Sequence, residues 1–215
     1  MHQGAIFDMD GLLFDTEPIF DQAWRLVANQ YHLQLDQSFF DRNRGTSGAV
    51  MKQALKEFFP EISPDLLVQG LFDHTAQLTS QNVPLKKGVC EILDFLKQRS
   101  VLMAIASSSP KSMILHHLEV SGIRDYFDVI VSGEEVKRGK PYPDIFLLAA
   151  SQLNLLPEDC YVFEDGLPGV RAGVKAGCET IMIPDMIQPT EDILSMPVQI
   201  FKDLLQAKDF IQKSS

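Results

Sequence analysis

The sequence predicts an α/β fold: a doubly wound parallel sheet interrupted by an inserted helical domain. Three observations carry that reading. Short apolar runs bounded by turn residues recur along the chain, as expected of strands buried on both faces. Helical periodicity fills most of the intervals between them. About ninety residues separate the first run from the second, and that interval reads as helix rather than strand.

Taken in order, Gly4 to Asp10 is the first strand, an apolar Ala-Ile-Phe run ending in acids and Gly11. Thr16 and Pro18 then open a helix whose apolar face is Phe20, Ala23, Trp24, Val27, Ala28 and Tyr31. A loop is expected around Arg42 to Gly48, followed by helices over Ala49 to Phe59 and, past Pro60 and Pro64, Asp65 to Ser80. Residues 16–82 are therefore expected to form a helical cap domain, and residues 1–15 with 83–215 the Rossmann-like core. Val89, Ile92, Leu93 and Leu96 share one helical face ahead of the strand Val101 to Ala106. Ser109-Pro110 reads as an N-cap and first-turn proline for a helix that Gly122 stops. The remaining strands are expected at Phe127 to Val131, Cys160 to Phe163 and Thr180 to Ile183, with a helix bearing Phe146, Ala149, Ala150 and Leu153 between the first two. Gly169, Gly173 and Gly177 would let a short helix lie close on the sheet.

Hydrophobic residues make up 45% and charged residues 22% of the 215, which fits a globular protein and argues against disorder and membrane residence. A net charge of -10, from 19 basic and 29 acidic residues and with no basic patch, disfavours nucleic acid and anionic lipid as partners. A small anionic ligand stays possible, because backbone amides and a cation can outweigh the global field within one pocket. The three cysteines, Cys90, Cys160 and Cys178, lack CxxC pairing, so neither a disulfide framework nor a zinc site is expected. With no secretory signal pattern at Ala5-Ile6-Phe7, the protein is expected in the cytoplasm, and it is expected to act as a monomer.

Ligands of open parallel sheets bind beyond the carboxyl ends of the strands. Four sets stand there: Asp8-Met9-Asp10-Gly11, Ser107-Ser108, Lys140 and Glu164-Asp165. Acids, hydroxyls and a cation on one rim suit a metal-bound phosphate. Asp8 and Asp10 lie two apart on extended backbone, so both side chains can face one pocket before Gly11 turns the chain. His116-His117 has no acidic or cysteine partner at ligand spacing and reads as structural.

The run Asp8-Met9-Asp10-Gly11-Leu12-Leu13-Phe14-Asp15-Thr16-Glu17 strongly resembles the first motif of the haloacid dehalogenase-like hydrolases. Ser107 matches their second motif, Lys140 in Gly139-Lys140-Pro141-Tyr142-Pro143-Asp144 the third, and Glu164-Asp165 the fourth. The nearest branch resembles the one holding β-phosphoglucomutase and sugar-phosphate phosphatases. That resemblance implies Asp8 as the nucleophile forming an aspartyl phosphate and Asp10 as general acid and base. It implies Mg2+ held by Asp8, the Asp10 backbone carbonyl, Asp165 and Glu164, the last directly or through water. Ser107, Ser108 and Lys140 would bind the phosphate.

Departures from the mutase pattern favour a phosphatase, with the mutase as the alternative. Phe20 and Gly48 stand where β-phosphoglucomutase carries a cap histidine and an arginine, the mutase's cap lysine has no counterpart near Gly70 to His74, and Gly166 replaces the branch's usual serine. The second aspartate and the late acidic pair argue against carbon-attacking dehalogenases and against a binding module that has lost its chemistry. Substrate choice is expected in the cap, with Arg42, Arg44, Gly45, Thr46, Ser47 and His74 as candidates and Asp15-Thr16 and Asn82-Val83-Pro84 as hinges.

Overall fold

A computed structural model describes residues 2–44, 46 and 48–213. It divides into two compact units, Met1–Phe14 with Pro84–Ser215, and Asp15–Val83. The predicted candidates Gly45 and Ser47 lie outside the described residues.

The first unit is built on a parallel sheet of six described strands: β1 (Gly4–Phe7), β2 (Leu102–Ser107), β3 (Val129–Ser132), β4 (Cys160–Glu164), β5 (Glu179–Met182) and β6 (Val198–Ile200). Their spatial order is β3-β2-β1-β4-β5-β6. The chain winds outward from β1 through β2 to β3, then returns to the other side of β1 to lay down β4, β5 and β6. That reversal puts the topological switch point beside β1, where ligands of doubly wound sheets sit. Register aligns Phe7, the last residue of β1, with Ile105 on one side and Phe163 on the other, so β2 runs two residues and β4 one residue past the end of β1.

The second unit holds α1 (Glu17–Tyr31), α2 (Gln37–Asn43), α3 (Gly48–Phe58) and α4 (Pro64–Leu78). Ala23, Trp24 and Val27 of α1 pack with Phe39, Phe40, Leu55, Leu67 and Leu71 in a separate apolar core. A Cβ added at Gly70 would come 3.3 Å from Val27, so this glycine lets α4 close on α1. His32 ends α1 in the left-handed region at φ 55, its amide returning to Ala28 and Asn29.

Back in the first unit, the chain forms α5 (Val89–Lys97), α6 (Lys111–Val120), α7 (Asp144–Gln152), α8 (Leu167–Ala176), α9 (Glu191–Leu194) and α10 (Leu204–Lys213). Side chains alternate across the strands. Ile6, Ala104, Ala106 and Val162 form one core with Phe146 and Ala149 of α7 and Ala172 of α8. Phe7, their neighbour in β1, instead stacks on Phe163 at 4.5 Å between ring centres.

Several sequence expectations need correction. Arg42, expected in a loop, lies in α2. Asp36 caps that helix by accepting a hydrogen bond from the Phe39 amide, a start signal that precedes the apolar pair Phe39-Phe40. The strand β6 was not expected, because Val198-Gln199-Ile200 is too short to show a pattern. Strand β1 stops at Phe7, since Met9 to Phe14 fold into a tight turn in which the Leu13 and Phe14 amides both donate to the Met9 carbonyl. The third strand begins at Val129 rather than Phe127. Pro110, not Ser109, is the N-cap of α6, and no side chain caps it. Of the three α8 glycines, Gly169 and Gly173 do permit close approach, whereas Gly177 is the left-handed C-cap at φ 84.

Candidate active site

The end of β1 supplies two carboxyls. Met9 between them is fully buried, and the chain passes from Asp8 directly into the tight turn that carries Asp10. The Asp8 amide donates to the Phe163 carbonyl at 3.0 Å, which extends the β1–β4 ladder and sets Asp8 beside Glu164, the last residue of β4. Gly11 adopts φ +83, and a Cβ there would fall 2.3 Å from Asp165 Oδ2. Only a glycine lets the first acidic turn lie this close to the second.

Asp8, Glu164 and Asp165 consequently place one carboxylate oxygen each within 4.8 Å of one another. Such an all-oxygen set suits a hard divalent cation. Lys140 reaches the cluster from the loop beyond β3, its Nζ donating to Asp8 Oδ1 at 2.5 Å, Glu164 Oε1 at 2.6 Å and the Ala106 carbonyl at 3.0 Å. Its peptide bond to Pro141 is cis. Burial works against the Lys140 charge, but Asp8 and Glu164 outweigh it and hold the ammonium above its usual range. Burial pushes the Glu164 carboxyl up to about 7, against the Lys140 charge and with that of Asp8. The physical cause is plain: within this triad two acids share one base in a dry environment, and a cation would relieve the excess negative charge.

Glu164 is fixed from three sides. Its Oε2 accepts the Gly166 amide at 3.0 Å, Lys140 holds Oε1, and a Cβ at Gly169 would sit 1.7 Å from Oε1. The first turn of α8 therefore leaves room for this carboxylate and no more.

Ser107, the last residue of β2, is buried, and its Oγ accepts the Ser109 amide at 3.1 Å. Ser108 packs beneath Gly133, where a Cβ would stand 3.1 Å from the Ser108 backbone. Ser109 is a site residue that the sequence did not reveal. Its Oγ donates to Asp10 Oδ2 at 2.7 Å. A serine before a proline reads as a helix cap, and only the tertiary contact distinguishes the two roles.

Within the second unit, Arg44 Nη2 donates to Asp21 Oδ2 at 2.6 Å, which raises the guanidinium above its ordinary range. Arg42 pairs with Glu57. Thr46 Oγ1 donates to the Asn43 carbonyl at 2.7 Å, and His74 lies in α4. His117 is buried in the first unit, its ring edge-on to Phe14 at 5.6 Å. All three cysteines are free thiols. No described helix is long and apolar enough to cross a membrane.

A family model described as haloacid dehalogenase-like hydrolase matches residues 5–183. A phosphorylated carbohydrates phosphatase of Thermotoga maritima is 36% identical over 181 residues, covering 83% of each chain. The fructose-1-phosphate phosphatase YqaB of Escherichia coli is 31% identical, over 84% of this chain and 95% of the relative. Among solved structures, a putative β-phosphoglucomutase from Thermotoga maritima superposes with a TM-score of 0.80 at 29% identity, covering 99% of this chain and 100% of that one.

Proposed function

This chain belongs to the haloacid dehalogenase-like hydrolases, and from that premise we propose that it is a magnesium-dependent phosphatase acting on a small phosphomonoester, a sugar phosphate or similar metabolite. The observation that carries the reading is the meeting of Asp8, Lys140, Glu164 and Asp165 at the carboxyl ends of β1 and β4. The relatives named as carbohydrate-phosphate phosphatases support the substrate class.

In this reading the Asp8 carboxylate attacks phosphorus and the bond to the alcohol breaks, leaving an aspartyl phosphate. Asp10 gives its proton to the leaving alkoxide. It then takes a proton from water as that water attacks the aspartyl phosphate, releasing orthophosphate and restoring Asp8. Lys140 places its ammonium against the charge gathering on the phosphoryl oxygens, with the Ser107 hydroxyl and the Ser108 amide as further donors. Asp8, Asp165, the Asp10 carbonyl and Glu164, the last directly or through water, would hold Mg2+, which would supply the charge neutralisation that lets a carboxylate approach a dianion. Glu164, tied to Lys140 and to the Gly166 amide, also keeps the ammonium in place.

The helical insertion, residues 16–82, is read as the family's cap domain. A mutase is the second reading, favoured by the likeness to the putative β-phosphoglucomutase. Phe20, in the position of the mutase's cap histidine, packs against the apolar core of its own unit and has no proton to transfer. Free thiols at all three cysteines fit a reducing, cytoplasmic setting.

A screen of sugar, sugar-alcohol and nucleotide monophosphates with Mg2+, repeated with chelator, tests the proposal. Metal-dependent orthophosphate release that Asp8→Asn abolishes is expected. Turnover that survives in Asp8→Asn would reject the nucleophile, and isomerised product without orthophosphate would select the mutase.

A further inference from the structure

Ser109 is more than nine-tenths buried, yet its hydroxyl caps no helix, because α6 starts beyond it with Pro110 as N-cap. That hydroxyl instead crosses to the turn after β1 and donates to Asp10 Oδ2 at 2.7 Å. The serine is itself held at both backbone ends. Its amide donates to Ser107 Oγ at 3.1 Å, and its carbonyl accepts from Ser132 Oγ at 2.7 Å. Ser132 belongs to a capping box at the end of β3, its amide donating to Glu135 Oε1 at 2.8 Å and its Oγ accepting the Glu134 amide at 3.2 Å. A continuous set of hydrogen bonds thus runs from β3 through the β2–α6 loop to one oxygen of Asp10.

Burying a hydroxyl costs free energy unless a partner is fixed in place. An alanine would carry no such requirement. What the hydroxyl adds is a fixed direction for one oxygen of the Asp10 carboxyl. We infer that Ser109 is a positioning residue that orients Asp10 for proton transfer to the leaving alkoxide. The inference rests on the reading of Asp10 as general acid and base. Misplacing a proton donor by a fraction of its reach lowers the rate of the proton-assisted step without weakening substrate binding.

The test exploits leaving groups. An aliphatic alkoxide needs a proton as its bond to phosphorus breaks, whereas nitrophenolate departs without one. In the full-length Mg2+ enzyme, Ser109→Ala is expected to lower kcat/KM for fructose 1-phosphate about 10- to 100-fold and for p-nitrophenyl phosphate by less than about threefold. The inhibition constant of orthophosphate and the thermal midpoint should stay at wild-type values. Ser109→Thr, which keeps the hydroxyl, should restore the ratio between the two substrates. Equal losses on both substrates, or a threonine variant that behaves like alanine, would overturn the inference. Asp10→Asn separates the two readings. If it spares both substrates, the assignment of Asp10 fails and takes this inference with it. If it damages the sugar phosphate selectively while Ser109→Ala does not, the role of Ser109 alone is refuted.

Discussion

Lys140 Nζ stands 2.6 Å from Glu164 Oε1, joining the loop beyond β3 to the last residue of β4, with both side chains almost wholly buried. The same ammonium also meets Asp8. Removing one member of a buried ion pair strands the other charge, at a cost of about 3–5 kcal/mol. Lys140→Met is therefore expected to lower the unfolding free energy by about that amount in the presence of chelator, since two carboxyls lose their ammonium. Mg2+ should recover part of the loss, because a cation answers the same excess charge. Urea titrations with and without metal measure both effects. Equal stability of variant and wild type in chelator would show that the pair does not hold the two strands' ends together.

Gly169 offers a prediction in which two effects oppose each other. Replacing a helical glycine by alanine ordinarily stabilises by up to about 1 kcal/mol. Here the new Cβ would stand 1.7 Å from Glu164 Oε1 and 1.9 Å from its carboxyl carbon. Glu164 cannot swing aside without giving up Lys140 or the Gly166 amide. Overpacking of about 1–3 kcal/mol should outweigh the helix gain, so Gly169→Ala should be less stable than wild type. It should also need more Mg2+ for half-maximal activity. A variant with raised stability and an unchanged metal requirement would mean that Glu164 has room to move.

The sheet and the four acid, hydroxyl and cation sets were legible because their signals are local. Continuous apolar runs mark strands covered on both faces, and polar residues just past them mark the rim. What stayed hidden depends on residues distant in sequence. Ser109 looks like a cap until Asp10 is brought to it from ninety-nine positions away. The close fit of Gly11 on Asp165, and of Gly169 on Glu164, likewise has no trace in composition. Short elements failed for another reason: three residues of β6 and the seven of α2 carry too few periods for a pattern to emerge.

The Arg44 guanidinium is engaged within the helical unit, by Asp21 at 2.6 Å and Asp41 at 3.5 Å and over the Phe40 ring at 5.8 Å. Side-chain exposures of 20% for Arg44 and 26% for Asp21 place the pair between the surface and buried extremes. A coupling energy of about 1 kcal/mol is expected from a double-mutant cycle of Arg44→Met and Asp21→Asn, above the usual value for a fully exposed pair. Unfolding by urea at low and high salt supplies the four free energies. Strict additivity of the two substitutions would show that the contact contributes nothing to the stability of the unit.

His117 should make the protein sensitive to acid. Burial, helped by the charge of neighbouring His116, lowers its pKa from 6.5 to about 4. The folded state therefore keeps the ring neutral while the unfolded chain takes up a proton below 6.5. Stability follows the difference in bound protons, so this contribution is complete above 6.5 and is lost as pH falls towards 4. The full swing is about 3 kcal/mol, taking about 1.4 kcal/mol for each pKa unit. His117→Phe retains an aromatic ring against Phe14 and removes the titration. Carboxyls elsewhere titrate equally in both proteins, so the difference between their stability curves isolates the histidine. Wild type should fall away from the variant as acid is added, and parallel curves across that range would show that burial does not lower the ring's pKa.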